Sequence, residues 1–202
     1  MTSPLRQVGF TLLELVVALA VAAILTGIAV PGFVGVMQDS RLERLIGPTR
    51  RALLSARSEA VKGAVEVTVC PRASDTACGT DWNNGLLVFV DGTVVAGETT
   101  AVRDADDLVL SVIEPHGTAN RLLVFASDDR TASGEYDAGF IRYRFDGRAN
   151  WENGTLVACD TERGDEHSRA LNVTLTGSVQ NARPAADGEI VRDVFGREID
   201  CS

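Results

Sequence analysis

From Phe10 to Val30 the chain runs 21 residues with a single charged side chain, Glu14. A helix that crosses a membrane needs about 20 consecutive, mostly apolar residues, so this stretch predicts such a helix. An acid at the bilayer centre costs on the order of 2.5–3.5 kcal/mol on insertion scales, and an ionisable residue kept in such a segment calls for a partner. Glu14 is therefore the first candidate functional residue. An ordinary secretory signal has an apolar core of about 7–15 residues followed by a small-residue cleavage site. Here the core is longer, and the small residue, Gly9, precedes it.

The remainder predicts one more element of the same kind and then a change of pattern. Pro31-Gly32 interrupts the helical run, and a bend or melted turn is expected there, because proline removes a ladder hydrogen bond and crowds the preceding turn. The helix is expected to resume at Phe33, with Leu42, Leu45 and Ile46 on one face. A second interruption is expected at Gly47-Pro48. After it Leu53, Leu54, Arg57, Ala60 and Val61 are predicted to share a face, and Lys62-Gly63 reads as the helix end. Beyond that point the period changes. Val65, Val67 and Val69 alternate with polar residues, Leu86–Val90 is a short apolar run, and further strands are expected at 108–113, 121–126, 140–145, 155–159 and 170–175. Asp91-Gly92 and Asp146-Gly147 read as hairpin turns, the first leading into Thr93–Val95. The fold class is α+β, a long N-terminal helix packed on antiparallel β-sheet.

Charge and cysteine usage narrow the function. The net charge is −9, and residues 1–9 carry only Arg6, so the rest is more acidic still. Broad nucleic-acid surfaces depend on Lys and Arg neutralising phosphates, and this balance argues against one. Arg6 before the apolar run favours a cytoplasmic leader with the remainder across the membrane. All four cysteines, Cys70, Cys78, Cys159 and Cys201, follow the apolar run. An even count in an exported segment suggests two disulfides, with three possible connectivities. Cys70–Cys78 is the favoured pair because the intervening loop closes locally, which leaves Cys159–Cys201. No cysteine pair has the close spacing typical of zinc sites.

Gly9-Phe10-Thr11-Leu12-Leu13-Glu14-Leu15 resembles the processing motif of type IV pilins and pseudopilins. The resemblance implies a leader, residues 1–9, that a prepilin peptidase removes by cutting after Gly9, with Phe10 as the new, N-methylated terminus. It implies a transmembrane and assembly helix over 10–37, in which Pro31 marks a place where the helix loosens, and a periplasmic globular part over 38–202. Glu14 would pair with the Phe10 amine of a neighbouring subunit. Partners implied are other minor and major pilins and the inner-membrane assembly machinery. The implied location is the bacterial inner membrane and then a pilus filament or its tip. Further along, Ala56–Lys62, Val65–Cys70, Leu86–Asp91, Phe145-Asp146-Gly147-Arg148, Thr155–Asp160 and Arg169–Gly177 follow in the order of the GspH/FimT family. The cysteine-bearing tail to Cys201 is similar to FimU-type minor pilins, structural subunits that prime pilus assembly. A minor pseudopilin of a type II secretion system shares the same features.

Some FimT-like members act in DNA uptake through a basic motif of the form Gly-Arg-x-Arg after this turn. Here the segment reads Gly177-Ser178-Val179-Gln180-Asn181-Ala182-Arg183, with Ser178 and Gln180 where the arginines would stand. The acidic groups Asp104-Asp106-Asp107, Asp128-Asp129 and Asp160-Glu162-Asp165-Glu166 lack the spacing of a calcium loop and are expected to be solvated loop surface. Neither His116 nor His167 stands in a catalytic pattern. No enzyme activity, metal or cofactor is predicted.

Overall fold

A computed structural model describes residues 11–94, 101–114, 120–126, 139–149, 153–164, 167–182 and 201, with the backbone alone at 28–32, 120–121, 123–126 and 153. The chain divides into two compact units, residues 1–40 and 41–202. In the first, the described residues belong almost wholly to the start of helix α1 (Leu12–Gly63). Its described side chains are largely exposed, including Leu12, Leu13, Leu19, Ile24, Leu25 and Phe33.

α1 is helical without a break from Leu12 to Gly63, through both Pro31-Gly32 and Gly47-Pro48. The melted turn, one of the two outcomes expected at Pro31-Gly32, is absent, and the helical ladder also continues through Gly47-Pro48. A proline deletes one ladder bond and crowds one carbonyl, whereas the rest of a 52-residue ladder remains. Around Pro48 the flanks are also pinned: Leu45, Ile46, Thr49, Ala52 and Leu53 are buried, and the Thr49 hydroxyl donates to the Leu45 carbonyl at 3.0 Å.

In the second unit the buried stripe of α1 is Leu42, Leu45, Ile46, Thr49, Leu53, Ala56 and Ala60, a helical spacing throughout. Leu54 and Val61, expected on that face, lie beside it and stay exposed. The helix ends in a Schellman arrangement. The Val65 N–H donates back to the Ala60 carbonyl at 3.2 Å, and the left-handed residue between helix and strand is Ala64, at φ 50°, not Gly63.

Among the described residues nine strands follow: β1 (Glu66–Ser74), β2 (Ala77–Cys78), β3 (Leu86–Asp91), β4 (Val109–Ile113), β5 (Asn120–Ala126), β6 (Ile141–Tyr143), β7 (Asn153–Asp160), β8 (Arg169–Thr174) and β9 (Val179–Asn181). They form two antiparallel sheets. In the first, β1 is bordered by β3 and β6, β4 extends it beyond β3, and β2 folds back on the end of β1. The second runs β5-β7-β8-β9. Asp91-Gly92 is not a hairpin turn into a strand at 93–95. Thr93 and Val94 are irregular, Val95 lies outside the described residues, and β3 takes β4 as its neighbour. Polar partners from elsewhere in the chain hold this end: Asp91 turns in to Thr68 and Arg142, and Asp107 accepts from the Gly92 N–H.

Both sheets pack on the same helical stripe. Val67, Val69, Leu86, Val88, Ile141 and Tyr143 reach it from the first sheet, and Leu156, Ala158, Leu171, Val173 and Val179 from the second. The opposite faces are covered too, by Ala101 and Phe140 over Cys70, Leu87 and Phe89, and by Cys201 over Val157, Cys159 and Ala170. That double cover is why β3 reads as an unbroken apolar run instead of an alternating one.

Candidate assembly site

The start of α1 is built as a helix cap. Thr11 Oγ1 accepts from the Glu14 N–H at 3.2 Å, and the Leu15 N–H bonds the Thr11 carbonyl at 3.2 Å. Thr11-Leu12-Leu13-Glu14 has the T-x-x-E spacing of a capping box, with the Thr11 Oγ1 bond in place, and an acid at the fourth residue also suits the positive end of the helix dipole. This second role for Glu14 is a signal the Thr-x-x-Glu spacing carries in the sequence itself. Glu14 is exposed, among the equally exposed Leu12, Leu13, Leu15, Val16 and Val17. Gly9 and Phe10 lie outside the described residues, and Pro31 is described only as helical backbone. Among the described residues no helix is long and apolar enough to cross a membrane; side chains of the expected 10–37 span are described only at 11–27 and 33–37.

What this start presents is a continuous apolar helical surface with one carboxylate near its tip. Surfaces of that size on a protein mark contact with another protein or with a membrane. An acid at its edge is tolerated where a cation can meet it.

In the globular unit, two of the motif segments, Phe145–Arg148 and Arg169–Gly177, meet Arg57 of a third, Ala56–Lys62. Its Nε donates to the Gly147 carbonyl at 3.0 Å and its Nη2 to the Thr176 carbonyl at 3.1 Å. Gly147 sits in the Phe145–Arg148 turn at φ 79° and Gly177 follows Thr176 at φ 76°, both left-handed positions that favour glycine. The Ala149 N–H donates to the Leu175 carbonyl at 3.1 Å, joining the two turns directly. One arginine thus ties a turn beside each sheet to the helix. Tyr143 lies in the same core. Burial pushes its phenol well above the usual range, opposed by the Arg57 charge.

A second buried polar group lies on the far face of the first sheet. Arg142 Nη2 donates to Asp91 Oδ2 at 2.6 Å, its Nε to Thr68 Oγ1 at 3.0 Å, and the Thr68 hydroxyl to Asp91 Oδ2 at 2.8 Å. The Arg142 guanidinium also stands 4.7 Å from the centre of the Phe140 ring. All three polar side chains are buried. A single arginine and aspartate at positions 51 apart carry no sequence signal, since only the β1–β3 and β1–β6 registers bring them together.

The cysteines are bonded Cys70–Cys78 and Cys159–Cys201, with Cα separations of 5.6 and 5.7 Å. Two of the acids expected on solvated loop surface are buried. Asp107 accepts from the backbone N–H groups of Gly92 and Asp104, and Asp160 from those of Glu162 and Arg163 and from Arg163 Nε at 2.6 Å. Burial pushes the Asp160 carboxyl up, but those three donors outweigh it and hold the group below its ordinary 3.8. Asp128, Asp129, Asp165 and Glu166 lie outside the described residues, as does His116; His167 is exposed after the Asp160 turn. Among the described residues no group of three metal-ligating side chains could hold an ion. Ser178 and Gln180 flank and occupy β9, the last strand of the second sheet among the described residues, and Arg183 lies outside them.

A family model described as type II transport protein GspH matches residues 50–178, and one described as the prokaryotic N-terminal methylation motif matches residues 6–30. No curated protein matches the chain. Among solved structures, the type IV minor pilin FimU of Pseudomonas aeruginosa is similar at 18% identity over 71% of this chain and 87% of that one, with a TM-score of 0.44. The minor pseudopilin EpsH from the type II secretion system of Vibrio cholerae is similar at 13% identity over 73% and 96%, with a TM-score of 0.47. The GspH model spans more than half of this sequence, behind an N-terminal methylation motif, and the chain belongs to the GspH family of pilin-like proteins.

Proposed function

We propose that this chain is a minor pilin, a structural subunit that helps initiate a type IV pilus and sits in its priming or tip complex. Prepilin peptidase cuts after Gly9 and the new terminus, Phe10, is N-methylated. Residues 10–37 hold the protein in the inner membrane as a single span, with residues 38–202 in the periplasm, until other minor and major pilins and the assembly machinery draw it into a filament. The observation that supports this best is the uninterrupted, exposed apolar start of α1 with Glu14 in its first turn, directly behind the methylation motif. Within an apolar bundle the Glu14 carboxylate and the Phe10 amine of a neighbour are each costly alone and tolerable together. The protein acts by binding, with no catalytic step and no cofactor. Service as a minor pseudopilin of a type II secretion system is the second reading, favoured by the description of the family that matches residues 50–178.

The test separates the charge of Glu14 from its place in the cap. Both glutamate and glutamine serve at the fourth position of a capping box, so Glu14→Gln removes the charge and keeps a capping side chain, whereas Glu14→Ala removes the charge and that side chain; the Thr11 Oγ1 bond to the backbone N–H of residue 14 is open to both variants. The expected result is normal cleavage of both variants, with Phe10 methylated by mass, and loss of both from purified filaments. Normal incorporation of Glu14→Gln would sink the pairing. A Gly9→Val chain that still matured to Phe10 would sink the processing.

A further inference from the structure

We propose that β4 takes an extended, acidic segment of a neighbouring protein subunit as an added strand; this rests on the reading of the chain as a filament subunit. Three observations of different kinds meet there. First, the first sheet ends at β4, which pairs only with β3 among the described residues. Its outer backbone groups are a template for another strand. Edges of this kind are ordinarily blunted with charge or proline, and Val109-Leu110-Ser111-Val112-Ile113 carries neither.

Second, a cavity of about 290 Å³ lies between β4 and α1, floored by Pro48, Ala52, Val88, Leu110 and Ile113. That is at or below the small end of ligand clefts, which run about 300–1,000 Å³, and it suits one or two apolar side chains of a strand laid along the edge. Strand addition works this way, with main-chain bonds for affinity and pockets for alternate side chains.

Third, Arg51 lines the same cavity. Among the described residues it forms no ion pair, and neither do Arg44 and Arg50 on the same stretch of helix. Arg41, Arg72, Arg142, Arg144, Arg148 and Arg163 each have a carboxylate of their own. Three guanidiniums with no ion pair among the described residues, in a chain of net charge −9, select an acidic occupant, since complementary charge sets register and suppresses wrong partners.

The test uses the full-length protein in its own cells, with Ser111 replaced by the photo-crosslinking residue p-benzoylphenylalanine and a control carrying it at the exposed Gln180. The expected adduct at position 111 joins a non-helical, Asp/Glu-containing stretch of another subunit, identified by mass. It falls at least about tenfold on adding Arg51→Glu, persists with Arg51→Lys, and is absent from the Gln180 control. Unchanged thermal unfolding of Arg51→Glu shows that the loss is not misfolding. An adduct to lipid alone, to a helix, or to no protein would overturn the proposal, as would one indifferent to Arg51→Glu. If the chain is missing from sheared filaments, the filament reading has failed separately. The same adduct is then sought in the membrane fraction, where its presence upholds strand addition and its absence overturns it.

Discussion

The carbonyl oxygen of Gly147 occupies the place where a side chain on Gly177 would begin, and Arg57 Nε donates to that same oxygen at 3.0 Å. The two turns are therefore in contact through their backbones, one from each sheet, with the helix arginine closing the group. Gly177→Ala adds a methyl into that oxygen and also forces an L side chain to φ 76°. A left-handed backbone alone costs a non-glycine residue roughly 1–2 kcal/mol. The collision adds to this, so a loss of about 3 kcal/mol or more is expected, at the large end for single substitutions. Gly147→Ala meets side chains instead of backbone, with a Val61 methyl nearest at 3.1 Å and the Arg57 guanidinium next, and should lose about 1–2 kcal/mol. Denaturant unfolding of the two variants checks the order; equal losses would mean the turns are not in contact.

Ala64 is a place where stability is left unused. It holds the left-handed position of the helix end at φ 50°, where glycine carries no side-chain penalty. Ala64→Gly is expected to raise stability by about 1 kcal/mol, read as a higher midpoint in thermal melts. A lower midpoint would show that the greater freedom of glycine in the unfolded chain outweighs the relief.

Asp91 and Arg142 should behave as a pair and not as two independent residues. Asp91→Ala leaves the Arg142 guanidinium buried without its closest carboxylate, and removing one partner of a buried pair costs about 3–5 kcal/mol. Asp91→Leu together with Arg142→Met removes both charges and is expected to unfold at higher denaturant than Asp91→Ala. If the double variant is the weaker one, the Thr68 and Phe140 contacts of Arg142 hold the sheet more than the charge pair does.

Acid should act partly through Asp160. Its folded pKa lies below the ordinary 3.8, because donors from Arg163 and from the backbone outweigh burial. A depressed carboxylate contributes stability that is fully present above the unfolded value and lost as pH falls through the folded one. Unfolding curves should therefore weaken below about pH 4, and Asp160→Asn should flatten that decline while lowering stability at neutral pH. An identical acid limb in Asp160→Asn would exclude this group as its source.

Much of the scaffold is legible from period and punctuation. Leu42, Leu45 and Ile46 sit on the buried face as their spacing says, and the shift from helix to strand falls within a residue or two of Lys62-Gly63. Strands β4 to β8 lie close to the expected ranges. β2 and β9 are too short to carry a period, and their pairing is fixed by β1 and β8 instead. Proline does not end the helix at Pro48, because the flanking residues are buried and tertiary packing overrides the local penalty. Asp91-Gly92 has the composition of a hairpin turn, but its aspartate is claimed by an arginine 51 residues away, which no local pattern reveals. The start of α1 was legible in a different way. Its apolar run and lone acid are visible in one dimension, whereas the Arg57 cluster exists only once two distant turns have met.

The two disulfides differ in when they can form. Cys70 and Cys78 are 8 residues apart, so a chain emerging from its N-terminus can close that bond almost as soon as Cys78 appears. Cys159 then has to wait for a further 42 residues before Cys201 arrives to cover the second sheet. During that interval the only other thiols in reach are those of the first pair. Early oxidation of Cys70–Cys78 would take the wrong partners out of play, so the order of the cysteines along the chain sets the order in which the two bonds can first close.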